Sequence, residues 1–383
     1  MPPRHARSRR RATAVVSVAG LAAIALVARA PHPPAAPQRV EVEAPVQDAA
    51  PGDLLEAEEL DPVPAWGDAR VYRVRYASEA VSGAPIEVTG LVAVPSDPVP
   101  EGGRPVLTWG PGTTGSADDC APSRRPAPDG QGAVAAEVAL ADGWIWAATD
   151  YEGLGTPGPH PHLVGVSEAR GMIDIVRAVG ALPDAEPSGR YLAWGHSQGG
   201  HAALFTAEIA SAWAPDLELL GAVASGAPST LLAAYAFIKD AEDLVPTAVG
   251  MAAAYPELEL SDVTTDEGIE RLEAVERLCY EELVDDLADL PTDRLSKGDP
   301  ADHPAWRARI LENEPGTVRT PVPLLLVHGD ADATVPIVAH EILFERLCGL
   351  GQVVDRRVYP DVSHGATTRT SAADVQAWLS ARL

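Results

Sequence analysis

Two periods of apolar positions divide this chain. Residues 69–76 alternate apolar and polar side chains, and residues 86–94 do the same. Alternation at period two marks a half-buried strand. Ser82-Gly83 lies in the connection, so the two segments read as a hairpin at a sheet edge. Further along, short apolar runs alternate with segments whose apolar residues recur at helical spacing. The runs predict strands at 104–109, 144–149, 190–194, 219–224, 322–327 and 353–359. The helical segments are 132–141, 166–179, 197–213, 337–348 and 372–383. This rhythm predicts an α/β fold, a mostly parallel sheet with helices on both faces. It breaks at about 228–320, which has no strand pattern. There, 231–238 and 244–255 are apolar, and 267–290 has helical periodicity with many acids. This stretch is expected to be a helical cap inserted above the sheet. Its acids suit a solvated face. Its apolar segments either line an acyl-binding channel or pack against the sheet.

Ligands of such sheets bind beyond the carboxyl ends of the strands. At one such end stands Gly195-His196-Ser197-Gln198-Gly199-Gly200, with an apolar run before it and a helix former after it. Gly-x-Ser-x-Gly in that setting is the nucleophile elbow of the α/β-hydrolase fold. The serine sits on a strained turn, so the positions two before and two after it must lack side chains. The following helix directs its N-terminus at charge developing on the reacting carbon. A serine hydroxyl needs a histidine to take its proton and a carboxylate to orient that histidine. In this fold the order along the chain is Ser, acid, His, each after a strand. Gly329-Asp330-Ala331-Asp332-Ala333-Thr334-Val335-Pro336 follows a strand and supplies the acid. Asp332 is assigned, in the form Gly-x-x-Asp-x-x-Val-Pro, and Asp330 is taken to shape the turn. His364, in the loop after the last strand, is assigned as general base. The oxyanion hole needs two backbone N–H groups. One is that of Gln198, after the nucleophile. The other comes from the glycine-rich loop 109–115, with Thr113 as first candidate and Thr114 as second; a plain tight turn is the alternative reading. His196 and His201 are expected to orient or pack at the elbow. His160 and His162, two apart in a proline-rich loop, suggest a metal only weakly, and no thiolate or carboxylate cluster accompanies them. No metal and no cofactor are expected.

Charge narrows the setting. The 383 residues hold 29 Lys and Arg against 55 Asp and Glu, a formal net charge of −26. That argues against nucleic acid and against electrostatic binding to anionic lipid. Arg4, Arg7, Arg9, Arg10 and Arg11 precede an apolar run over 12–28, and Ala28-Arg29-Ala30 offers a small-x-small cleavage site. Residues 1–30 therefore read as a secretory signal peptide, with an uncleaved membrane anchor as the alternative. Residues 31–52 are rich in Pro and Ala and read as a disordered linker, leaving 53–383 as the folded domain. A secreted chain with three cysteines leaves one unpaired. Cys120 lies in a loop above the carboxyl edge of the sheet, and Cys279 lies in the cap on the same side. Cys348 ends a helix that runs away from that edge. Placement favours a Cys120–Cys279 disulfide.

Four stretches together resemble the secretory lipase family, the lipase A-like α/β-hydrolases. They are 112–123 (Gly-Thr-Thr-Gly-Ser-Ala-Asp-Asp-Cys-Ala-Pro-Ser), 149–161 (Thr-Asp-Tyr-Glu-Gly-Leu-Gly-Thr-Pro-Gly-Pro-His-Pro), the elbow 195–200, and 328–336 with His364. The second is the most distinctive, since many hydrolases share the elbow. The resemblance runs from about Leu54 onward. It implies ester hydrolysis, often of triacylglycerols, under a helical lid. The chain departs from the family at Gly110-Pro111, where relatives often have a histidine. The expected function is a secreted serine ester hydrolase, a lipase or carboxylesterase. It would act as a monomer on a small-molecule or lipid ester, including at a lipid–water interface. An acyltransferase with the same triad and a non-catalytic binding protein are the alternatives.

Overall fold

A computed structural model of the chain describes residues 39–41, 46–125, 130–233, 241–275, 277–287 and 292–383. The expected signal peptide lies outside the described residues. Ten strands form one sheet: β1 (Arg39–Glu41), β2 (Leu54–Glu59), β3 (Arg70–Glu79), β4 (Pro85–Val94), β5 (Arg104–Gly110), β6 (Ile145–Thr149), β7 (Pro187–His196), β8 (Glu218–Ser225), β9 (Leu324–Gly329) and β10 (Val354–Tyr359). Their order is β1-β2-β3-β4-β6-β5-β7-β8-β9-β10. Pairing is antiparallel from β1 through β4 to β6 and parallel from β6 to β10. The inner parallel strands end in apolar runs because helices cover both faces, while the edge strand β10, Val-Asp-Arg-Arg-Val-Tyr, is partly exposed.

Side chains alternate along each strand, so the sheet divides two cores. On one face Leu192, Trp194, Val223 and Leu325 pack with Val134 of helix α1 (Gly130–Ala141) and with Val375 and Leu379 of the C-terminal helix Thr367–Ser380. On the other face Ala193, Ala224 and Leu326 meet α2 (Gly165–Val179), α3 (Gln198–Trp213) and the helix Ile337–Gly349 through Ile173, Leu204 and Leu343. Each buried Leu, Ile or Val contributes roughly 1.5–3 kcal/mol. This is the mostly parallel sheet with helices on both faces that the rhythm predicts, in the α/β-hydrolase architecture that the elbow motif implies.

Three expectations need correction. The β3–β4 hairpin is not at the edge, because β2 pairs with β3 and β6 pairs with β4. Part of the expected linker 31–52 is ordered: Arg39–Glu41 pairs antiparallel with Glu56–Glu58, and Val46–Asp48 is a 3-10 turn. The edge strand β2 offers free backbone groups that a short extended segment can satisfy. The rest of that stretch up to residue 45 lies outside the described residues.

Within 228–320 the described elements are helical, at Ala241–Ala254, Leu260–Val263, Asp266–Val275, Tyr280–Leu287, Thr292–Leu295 and Pro304–Glu312. The expected helix at 267–290 is two helices with Cys279 between them. In the apolar segment 231–238 only 231–233 are described, as helix. Ala248, Met251 and Tyr255 pack with Trp306 and Ile310 into a cap core seated on Leu163 and Val164. The third correction is that split of the helix at 267–290; the apolar residues described at 246–255 pack on Leu163 and Val164 and within the cap, where Val249 meets Leu283, Leu287 and Leu295. Among the described residues no helix is long and apolar enough to cross a membrane.

Candidate active site

Strand β7 ends at His196 and α3 starts at Gln198, so Ser197 alone makes the corner, with φ 55° and ψ −121°. A non-glycine residue there stores about 1–3 kcal/mol of strain. Its neighbours hold it in place. Ser197 N–H donates to Ser225 O at 2.8 Å, and Ser197 O accepts from the N–H of Gly200 and His201 at 2.8 and 3.1 Å. The flanking glycines are required by close approach. A Cβ on Gly195 would lie 1.9 Å from Gly199 O, and one on Gly199 would lie 1.8 Å from Gly110 O. That contact brings the end of β5 against the start of α3. The loop after β5 therefore passes beside the serine, where a Cβ on Gly112 would be 3.5 Å from Ser197 Cβ.

His364 opens a 3-10 turn after β10, and its ring lies over Gly226. His364 Nδ1–H donates to Asp332 Oδ2 at 2.7 Å. The Asp332 carboxylate is fully buried, and its Oδ1 accepts from the N–H of Thr334 and Val335 at 3.0 and 2.8 Å. Asp330 points elsewhere: its Oδ1 accepts from Asp361 N–H at 2.6 Å and closes the loop onto the one that carries His364. His196 packs its ring on His364 with centroids 4.5 Å apart. Burial, with His364 and His328 nearby, pushes His196 well below the usual histidine range, so it adds no charge there.

Ser197, His196 and His364 share the wall of a cavity of about 710 Å³ with Gly112, Thr113 and Thr114. Its floor is apolar, formed by Leu91, Trp109, Trp146 and Ala148. Its mouth is polar, with Arg125, Gln131, Tyr280, Glu281 and Glu282. The cap reaches the cavity through Cys279–Glu282. Gly115 bridges to Cys279, Thr114 O accepts from Tyr280 N–H at 2.9 Å, and Cys279 is disulfide-bonded to Cys120. Cys348 is exposed and free.

Behind the elbow lies a buried polar network that sequence reasoning missed. Gln198 Nε2 donates to His160 Nε2 and to Glu168 Oε1, both at 2.9 Å. His160 Nδ1–H donates to Glu152 O at 2.8 Å, which leaves Nε2 free to accept. Glu168 Oε2 lies 2.7 Å from His201 Nδ1, while His201 Nε2 donates to Asn313 O at 2.8 Å. His162 bridges two hydroxyls, Thr113 Oγ1 and Thr247 Oγ1, each at 3.0 Å. All four ring nitrogens of His160 and His162 thus have protein partners. Tyr151 OH donates to Pro111 O at 2.9 Å and its ring stacks on His160. The one signal in the sequence was the cluster of polar residues in 149–162, which becomes interpretable only once α2 and α3 are seen to be adjacent.

Known proteins are similar to this chain in sequence and in fold. The sequence profile of the secretory lipase family matches residues 133–383. A secreted triacylglycerol lipase of Malassezia globosa is 29% identical over 297 residues, covering 70% of this chain and 63% of that protein. A protein of Mycobacterium tuberculosis named a probable inactive lipase is 29% identical over 198 residues, 46% of this chain and 42% of that one. The chain thus spans less than two thirds of the length of either relative. Among solved structures, the rice cell wall degrading esterase of Xanthomonas oryzae superimposes with a TM-score of 0.73 at 21% identity, covering 88% of this chain and 99% of that one. With its profile match over 133–383, the chain belongs to the secretory lipase family.

Proposed function

We propose that this protein is a serine carboxylic ester hydrolase, a lipase or carboxylesterase. Ser197 Oγ attacks the ester carbonyl as His364 takes its proton, and Asp332 holds the imidazolium that forms. The oxyanion is met by the N–H groups of Gln198 and Thr113. His364 then gives the proton to the departing alkoxide, leaving an acyl-enzyme. Water, deprotonated by the same histidine, attacks the acyl carbon and releases the acid. The observation that carries this reading is the 2.7 Å His364–Asp332 hydrogen bond, with His364 and Ser197 lining one cavity. The lipase and esterase names of the relatives support an ester as substrate. The disulfide and the N-terminal pattern support export to an oxidising compartment.

The test is hydrolysis of p-nitrophenyl esters from two to sixteen carbons by the wild type and by Ser197→Ala. Activity lost in the variant supports the mechanism, and activity retained there sinks it. A non-catalytic scaffold is the second reading, favoured by the name of the mycobacterial relative. A wild type inert to a serine-directed phosphonate would establish that one instead.

A further inference from the structure

The two residues proposed as oxyanion donors, Thr113 and Gln198, come from different parts of the chain. Thr113 lies in the loop after β5 and Gln198 at the head of α3. Each has its side chain held from behind, and both holders sit in one loop two residues apart. His160 accepts from the Gln198 side-chain amide at 2.9 Å, and His162 joins the Thr113 hydroxyl at 3.0 Å. The holders are themselves fixed. His160 is 3% exposed and anchored on Glu152 O; His162 is 4% exposed and anchored on Thr247 Oγ1 of the cap helix Ala241–Ala254. That helix lies directly on the loop, since a Cβ on Gly250 would be 2.3 Å from His162 N. Oxyanion stabilisation depends on donors held in place before the charge appears. A donor displaced by about 1 Å loses much of its effect.

We propose that His160 and His162 are positioning residues for the oxyanion hole, His160 acting through the Gln198 side chain and His162 through the Thr113 hydroxyl. Neither touches substrate, and each acts only through the donor it holds. The proposal rests on the reading of Ser197 as nucleophile.

The experiment uses the full chain and five variants: His160→Ala, His162→Ala, His162→Gln, Thr113→Val, and the double variant His162→Ala with Thr113→Val. Steady-state hydrolysis of p-nitrophenyl butyrate gives kcat and KM, and labelling by a p-nitrophenyl phosphonate gives the content of reactive serine. Thr113→Val keeps the backbone N–H and removes only the hydroxyl that His162 holds. The expected result is a fall in kcat of roughly ten- to hundred-fold in the three single truncations. In the two histidine truncations KM and the labelling stoichiometry stay within about two-fold, since neither histidine lines the cavity that holds Ser197. The double variant loses no more than His162→Ala alone, because both changes break one link. His162→Gln, whose amide can bridge both hydroxyls, recovers part of the loss. Losses confined to KM, losses that multiply in the double variant, or an unchanged kcat in Thr113→Val overturn the proposal. If His162→Ala fails to fold, Thr113→Val decides the His162 link by itself. A wild type inert to both ester and phosphonate overturns the hydrolase reading and this proposal together; an active wild type with indifferent variants overturns this proposal alone.

Discussion

Asp332 and Asp330 stand two residues apart in one loop, yet their carboxylates face different partners. Asp332 is buried, with one oxygen on His364 and the other on two backbone N–H groups. Asp330 is exposed and ties its loop to Asp361 N–H. On the proposed mechanism, Asp332→Asn leaves the loop in place but offers His364 the wrong hydrogen-bonding partner, so kcat falls by about 10⁴. Asp330→Asn retains an oxygen acceptor and changes kcat less than about three-fold, with a small loss of stability at most. Kinetics and thermal midpoints of the two variants check this, and a larger kcat loss in Asp330→Asn would reverse the assignment. At this scale the pairing of His364 with Asp332, and their loops' place on the cavity that Ser197 lines, were legible. A serine with glycines two positions before and after it, and an acid and a histidine after later strands, are local patterns that chemistry imposes. The side-chain contacts of Glu168 and Gln198 were not, because each meets side chains far away in sequence.

Elements were legible where burial alone shapes their pattern. The strands flanking the elbow are apolar runs enclosed by helices, and each was placed to within a few residues. Strand β2 was missed because its pattern has meaning only beside its partner. Glu56 and Glu58 stand opposite Arg75 and Arg73 of β3 across the ladder, and Glu59 pairs diagonally with Arg70. Read alone, Leu-Leu-Glu-Ala-Glu-Glu carries little strand signal, since Glu is depleted in strands. The break in the acidic cap segment was missed because the Cys279 backbone is drawn into a bridge with Gly115. That attachment leads to a prediction. The Cys120–Cys279 bond closes a separation of 159 residues, and replacing both cysteines by serine should cost about 2–5 kcal/mol of stability. It should also lower kcat, because Thr114 and Gly115 would keep only their backbone bonds to the cap. Cys348→Ser, at an exposed free thiol, should leave both unchanged and serves as the control. Denaturant midpoints under non-reducing conditions, with kcat on one short ester, read both effects. Equal stability in the double serine variant would show that the cap needs no covalent tether.

For the whole molecule, acidity outside and buried titratable groups inside set opposite pH demands. Burial pushes His340 down to about 3, with His328 and Arg356 adding to the effect. A histidine kept neutral in the fold gains its proton first in the unfolded chain, at the ordinary value near 6.5. Stability from His340 is therefore present above pH 6.5 and is lost as pH falls toward 3, by a total on the order of 5 kcal/mol. Glu208 works the other way. Burial raises it to about 7, against the lowering influence of Gly316 N–H, His201 and Arg346. The folded state then keeps a proton that the unfolded chain releases near 4.5, so stability is lost as pH rises from 4.5 to 7. Two substitutions separate these limbs. Glu208→Gln keeps an oxygen for the 2.7 Å bond from Gly316 N–H and needs no proton. Its stability relative to wild type should be flat below about pH 4.5, rise to pH 7 and level off, a gain of roughly 3 kcal/mol. His340→Leu should show the mirror image: a constant difference above pH 6.5, and a growing relative advantage as pH falls. Urea midpoints at six pH values between 4 and 8 distinguish the two, and differences independent of pH would refute both assignments. The opposed slopes overlap between pH 4.5 and 6.5. In that window the contributions of these two groups offset one another, so each single variant exposes the slope of the other group.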